Sequence, residues 1–113
     1  MFMVKDYKRY LSYIFGDIEE AELFVAGLSF AKFKKSALAQ NAVLKKLENI
    51  GEGVRYLPEE VRALRPEIPW QKIIDSRNFI IHEYFGIKLK SVWNTVKEDL
   101  PPFKKAVEYL LKK

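Results

Sequence analysis

Trp70-Gln71-Lys72-Ile73-Ile74-Asp75-Ser76-Arg77-Asn78-Phe79-Ile80-Ile81-His82-Glu83-Tyr84 contains neither glycine nor proline. Its apolar members Trp70, Ile73, Ile74, Ile80 and Ile81 follow a spacing of three and four, which predicts a well-buried helix rather than an alternating strand. Gly86 closes that helix, and Pro66 and Pro69 make a stiff connector ahead of it. The same periodicity extends outward in both directions. Tyr7, Tyr10, Leu11, Ile14, Ile18, Ala21 and Val25 predict a first helix over about residues 3–26, ended by Gly27. Ser29 caps a short turn through Lys34, and a long helix begins at Ser36 or Leu38 with Val43, Leu47, Ile50, Val54 and Leu57 inside.

Gly51 and Gly53 fall within that long helix, where each costs about 1 kcal/mol relative to alanine, so another backbone is expected close by. Pro58-Glu59-Glu60 suits the first turn of a short helix. Residues 89–113 are helical in pattern, with a kink or restart expected at Leu100-Pro101-Pro102 because proline removes a donor and crowds the preceding turn. The expected fold is an all-α antiparallel bundle of four to five helices, with residues 1–113 forming a single domain.

The 113 residues are too few for two ordinary cores, and 49% hydrophobic against 31% charged residues is a folding composition. There is no cysteine, which removes disulfides, thiolate metal sites and cysteine nucleophiles and suits a reducing cytoplasm. No apolar run approaches the roughly 18–20 residues of a membrane span. A formal charge of +5 leans toward polyanionic partners.

On a helix, Arg77 shares its face with Ile73, Ile80 and Tyr84, so a permanently charged guanidinium emerges from an apolar stripe and needs an anion. A carboxylate of another helix, Glu48 or Glu52, meets that need structurally, and a phosphate meets it functionally. His82, the only histidine, lies about 140° around an ideal helix from Arg77, with Asn78 at about 100° between them. The three can border one groove. No carboxylate cluster suggests a two-metal nuclease, and no Gly-rich phosphate loop or Gly-x-Ser-x-Gly elbow occurs.

Arg77-x4-His82-x-Tyr84 resembles the Arg-x4-His-x-Tyr signature of HEPN-domain toxins of the HepT type, the ribonuclease half of the HepT–MntA toxin–antitoxin systems. The likeness continues through Gly27-Leu28-Ser29-Phe30, Gln40 to Val43, Asn49 to Glu52, Leu57 to Glu60, Pro66 to Trp70 and Asp99 to Pro102, in the same order. Ser76 before the arginine and Asn41 after the glutamine depart from the family pattern without touching the motif.

The resemblance implies a HEPN-type homodimer and a type VII toxin. It also implies metal-independent RNA cleavage with no cofactor, and an MntA-like nucleotidyltransferase antitoxin that adenylylates Tyr84. In that scheme Arg77 and His82 are catalytic, while Asn78 and Tyr84 support them. Independently of the family, RNA can cleave itself through its 2′-hydroxyl when one group removes a proton, another returns one and a cation stabilises the added charge. One histidine cannot readily be both base and acid in the same turnover. A two-fold dimer supplies a second, and Tyr84, Glu83 or water are the other candidates. Lys88 and Lys90, directly after the motif, are candidates for RNA phosphate contacts. The alternatives are a non-catalytic helical partner of a minimal nucleotidyltransferase and a plain dimerisation bundle with Arg77 in an intramolecular ion pair.

Overall fold

Leu11, Ile14, Ile18, Ala21 and Val25 step by alternating threes and fours, and all five are buried on one face of helix α1, Met3–Val25. The structure, a computed structural model, describes residues 3–113, with side chains from Asp6 onward. Gly27 turns the chain out of α1 with φ 78°, a left-handed conformation that glycine adopts without penalty. Ser29 then caps helix α2, Phe30–Lys34, by accepting from the Lys32 amide at 3.2 Å. Ser36 caps helix α3, Ala37–Arg55, in the same way through Ala39 at 3.1 Å. Of the two expected starts, Ser36 is therefore the boundary.

Helix α3 lies antiparallel to α1: Gly53 meets Ile14, while Lys46 reaches Asp17 and Glu20. The Lys46 ammonium is 2.6 Å from a Glu20 carboxylate oxygen, and this hydrogen bond raises its pKa. Burial holds the Asp17 carboxyl above its ordinary value, against the attraction of Lys46. Helix α4, Glu59–Arg62, is one short turn with Pro58 as its N-cap, so it starts one residue after the proline expected to open it. The indole N–H of Trp70 donates to the carbonyls of Arg62 and Arg65, both at 3.0 Å, which fastens the proline connector to the start of helix α5, Trp70–His82.

Helix α5 departs from expectation in two respects. It ends at His82, and Tyr84–Gly86 form a 3₁₀ turn. Only Trp70 is buried; Ile73, Ile74 and Ile80 are half-covered, while Phe79 and Ile81 are exposed. Helix α3 covers one face of α5, and among the described residues no other helix packs along its length, α7 meeting it only at Trp70, so the expected well-buried helix is an edge helix.

Helix α6, Leu89–Asn94, runs through a π-helical turn, Thr95–Asp99, into helix α7, Leu100–Leu111. The Leu100 amide donates to the Thr95 carbonyl five residues back. That wider turn accommodates Pro101 and Pro102, which have no N–H to offer an ordinary helical ladder. The prolines reset the hydrogen-bond pattern without ending the helix. Leu100, Phe103, Ala106, Val107 and Leu110 close the core against α1, and Phe103 meets Trp70 edge-on with ring centroids 5.7 Å apart.

Both interior glycines of α3 mark close approaches. A methyl group on Gly51 would overlap the Arg77 Cβ and lie 3.0 Å from the Ile73 carbonyl oxygen, and one on Gly53 would lie 2.8 Å from Ile14 Cγ1. Gly16 of α1 has nothing within 4 Å of such a position. Gly51→Ala is therefore expected to destabilise the protein by about 1–3 kcal/mol through overpacking, despite a gain of about 1 kcal/mol in helix propensity. Gly16→Ala keeps that gain. Thermal melts of the two variants should move in opposite directions, and an equal rise in both would show that α3 and α5 do not approach this closely.

Candidate active site

Arg77 lies on the face of α5 that meets α3, because Gly51 lets the two backbones come together at that level. The guanidinium Nη2 is 3.1 Å from Glu52 Oε1, and Nη1 donates to Asn78 Oδ1 at 2.8 Å. The Arg77 Nε is buried without a partner. Of the two carboxylates within reach of this face, Glu52 provides the counter-ion, and it also pairs with Arg55 at 2.9 Å. Glu48, one turn away, lines a neighbouring groove instead.

The Arg77 side chain retains 25% of its exposure and that of Glu52 36%. An ion pair this wet contributes on the order of 0–1 kcal/mol. It holds the guanidinium in place without locking it against a stronger anion. Asn78, exposed, fixes one edge of the guanidinium through its side-chain oxygen. With that oxygen engaged, the Asn78 amide nitrogen remains a donor.

His82 is the last residue of α5 and is exposed. Among the described residues its ring makes no side-chain hydrogen bond or ion pair. Tyr84 stands just beyond, in the 3₁₀ turn, and donates its hydroxyl to Asn41 Oδ1 at 2.6 Å. With Asn41, Leu44, Lys45, Glu48, Ile80 and Ile81 it lines an open groove of about 570 Å³ between α3 and α5.

The structure thus joins Arg77 to Asn78 directly, and places Tyr84 against α3. It does not join His82 to any of them within one chain. In sequence Asn41 is only a departure from the family pattern; a contact across 43 positions has no local spacing to announce it. Lys88 is the N-cap residue of α6, and the Lys90 ammonium sits 4.6 Å from the centre of the Phe30 ring. Among the described residues, no group of three or more His, Asp or Glu side chains could hold a metal ion, and no helix is long and apolar enough to cross a membrane.

The family model described as "Ribonuclease HepT-like" matches residues 14–110. A protein of Thermococcus cleftensis named "Probable ribonuclease HepT" is 39% identical over 97% of this chain and 100% of its own length. A relative from Caldanaerobacter subterraneus subsp. tengcongensis, provisionally named an RNase, is 36% identical over 97% of this chain and 98% of its own. Another such relative, from Methanocaldococcus jannaschii, is 36% identical over 92% of this chain and 95% of its own. No solved structure matches the chain. The all-helical fold, the Arg77-x4-His82-x-Tyr84 arrangement across an edge helix and the turn that follows it, and these relatives agree: the chain belongs to the HepT-like ribonuclease family.

Proposed function

We propose that this protein is an endoribonuclease toxin that cleaves RNA without a metal ion, using Arg77 and His82, and that a nucleotidyltransferase antitoxin silences it by adenylylating Tyr84. The observation that carries this reading is the free, exposed His82 at the end of the same helix on which Arg77 is held by its base with unused donor capacity. A guanidinium has five N–H donors, and the contacts to Glu52 and Asn78 leave others for two parallel bonds to a phosphate.

In the proposed reaction a His82 imidazole removes the proton of the RNA 2′-hydroxyl. The 2′-oxygen attacks the adjacent phosphorus, a P–O2′ bond forms and the P–O5′ bond breaks. The departing 5′-oxygen takes a proton from a second acid, and Arg77 stabilises the charge gathered on the non-bridging oxygens. Asn78 holds the guanidinium in register. The second acid comes from a homodimer: the uncovered face of α5 presents Phe79 beside His82, with Phe85 fully exposed just after it. Pairing two copies through this face buries those groups and brings a second imidazole to the same cleft.

A rival reading takes the Arg77–Glu52 pair as the whole purpose of the arginine, in a non-catalytic bundle that serves as partner to a nucleotidyltransferase. The pair itself favours it. The two readings differ in what Arg77→Ala does. Loss of a weak, wet ion pair lowers stability by no more than about 1 kcal/mol. Loss of a transition-state contact removes most of the activity.

Arg77→Ala and His82→Ala are each expected to lower the rate of RNA cleavage by about 10²-fold or more while the thermal melt shifts by only a few degrees. The wild-type rate should persist in excess EDTA. Wild-type rates in either variant, or loss of cleavage on chelation, defeat the mechanism. Equilibrium sedimentation should find dimers at micromolar concentration, and Phe79→Glu should shift them to monomers. A monomeric wild-type chain that cleaves at full rate contradicts the shared cleft.

The phenol of Tyr84 is about half exposed and, among the described residues, bonded only to Asn41, so it is accessible to a modifying enzyme. Attached AMP carries a phosphodiester charge into the neighbourhood where RNA phosphate binds, at a local concentration on the order of millimolar. Incubation with the cognate nucleotidyltransferase and ATP should add AMP mass to the peptide containing Tyr84 and stop cleavage, and Tyr84→Phe should escape both. Modification of Tyr109 instead, or full activity after Tyr84 is modified, contradicts this part of the proposal.

A further inference from the structure

Charge is unevenly distributed over this molecule. Residues 26–47 contain five lysines and no Asp or Glu, and residues 84–97 contain three lysines and no Asp or Glu. By contrast, Asp17, Glu19, Glu20 and Glu52 line an open groove between α1 and α3. Lys45 and Lys46, at the end of the first basic stretch, pair with Glu48 and with Asp17 and Glu20. The remaining lysines of the two stretches, Lys32, Lys34, Lys35, Lys88, Lys90 and Lys97, are exposed and pair with no carboxylate among the described residues.

The fold brings these two stretches together, because α2 packs on α6. Phe30 and Phe33 of α2 face Trp93 of α6 with ring centroids 5.9 Å and 5.3 Å apart. The ammonium groups of Lys34 and Lys90, from different helices, lie 5.8 Å and 4.6 Å from the centre of the one Phe30 ring. Lys97 lies 5.0 Å from the centre of the Trp93 ring. Three cations are therefore held close together over a half-buried aromatic pair, with no carboxylate of the described residues in ion-pair contact with them.

The simplest purpose for such a group is to cover apolar rings with lysine stems, each contact being worth about 0.5–1 kcal/mol at an exposed site. Covering rings does not require excluding every carboxylate from two segments far apart in sequence. Mutual repulsion of the ammonium groups makes the cluster unfavourable in isolation and favourable beside a polyanion.

Its position is informative. The Gln40 amide donates to the carbonyls of Phe33 and Lys34 at the end of α2, and the next residue, Asn41, accepts the Tyr84 hydroxyl. Lys88 follows Tyr84 by four residues and begins α6. The basic face thus starts beside the motif and leads away from it along α6 toward Lys97.

We infer that the α2–α6 face, built on Lys34, Lys90 and Lys97 with Phe30 and Trp93 beneath them, is a second RNA-binding surface that holds the single-stranded substrate outside the cleavage site. This deepens, and rests on, the reading of the chain as an RNA-cleaving enzyme. Because the ammonium groups already occupy the ring faces, the surface reads the phosphate backbone and not the bases. It binds without sequence preference, with affinity that falls steeply with salt. It acts on the capture of long RNA, and so on KM, while leaving kcat and the cleavage of very short substrates unchanged.

The test uses the full chain carrying His82→Ala, which blocks cleavage during titration, and a fluorescently labelled twelve-nucleotide oligouridylate followed by anisotropy. Adding Lys34→Ala, Lys90→Ala and Lys97→Ala should weaken binding by about tenfold or more. It should also flatten the slope of log affinity against log salt by about 2, close to 0.7 for each lost phosphate contact. Lys112→Ala with Lys113→Ala, at the far C-terminus, should change neither. In an otherwise wild-type background the triple variant should raise KM for long RNA and leave turnover of a dinucleotide intact.

Unchanged affinity and slope in the triple variant overturn the proposal. So does a loss of binding to anionic lipid vesicles with RNA binding untouched, which assigns the face to a membrane. If the RNA binds through these lysines but is never cleaved by the wild-type chain, the nuclease reading fails while this surface stands. If the His82→Ala chain binds no RNA, the surface is refuted whatever the wild-type chain cleaves.

Discussion

The approach of α3 to α5 at Gly51 is the constraint on which the rest of the site depends. With no side chain at that position, the Arg77 Cβ and the Ile73 carbonyl occupy the space where a methyl group would stand. This sets the depth of the arginine. Its Nε is sealed beneath the surface while Nη1 and Nη2 reach Asn78 and Glu52 at the edge. A guanidinium fixed in this way has already lost much of the rotamer freedom that a free arginine would surrender on binding a phosphate. Glu52 competes for the same donors, but a pair this exposed is weak, and a bidentate phosphate contact in a closed cleft is the stronger interaction.

The other half of the site is arranged on the opposite principle. His82 and Tyr84 lie at the end of an edge helix, where few contacts restrain them, and the adjoining Phe79, Ile81 and Phe85 are left uncovered. An apolar face beside a lone histidine is what the proposed dimer explains with one step: it buries the face and doubles the histidine. The charge pattern fits the same scheme. Carboxylates gather on the α1–α3 side and unpaired lysines on the α2–α6 side, so a polyanion is drawn to the face next to the motif.

Much of this was legible in the sequence, for identifiable reasons. The helical periods of α1 and α3 survive intact because their apolar faces are covered within the chain, and the serine caps are local hydrogen bonds that spacing reveals. The two glycines of α3 announced close neighbours, though not which ones. Helix α5 misled for a physical reason: periodicity marks apolar positions but not what covers them, and side chains left open to solvent read like core. The proline pair predicted a disturbed ladder, and the π turn is that disturbance in a form that keeps the helix running. Glu48 and Glu52 lie one turn apart, so only the register of α3 on α5 could decide between them. The Asn41–Tyr84 bond and the meeting of Lys34 with Lys90 over one ring join distant segments, and no local pattern encodes either.

The central claim is that Arg77 and His82 direct the RNA's own 2′-hydroxyl onto its phosphate. The chemical ends of the cleaved RNA report this most directly. Digestion of a defined single-stranded RNA by the wild-type chain, followed by mass spectrometry of the fragments, should find 2′,3′-cyclic phosphate on the upstream product and a 5′-hydroxyl on the downstream one. A matched substrate with 2′-deoxyribose at the cleaved position should remain whole. Products ending in 3′-hydroxyl and 5′-phosphate, or cleavage of the 2′-deoxy substrate, would show that water and not the 2′-oxygen attacks, and would contradict the account.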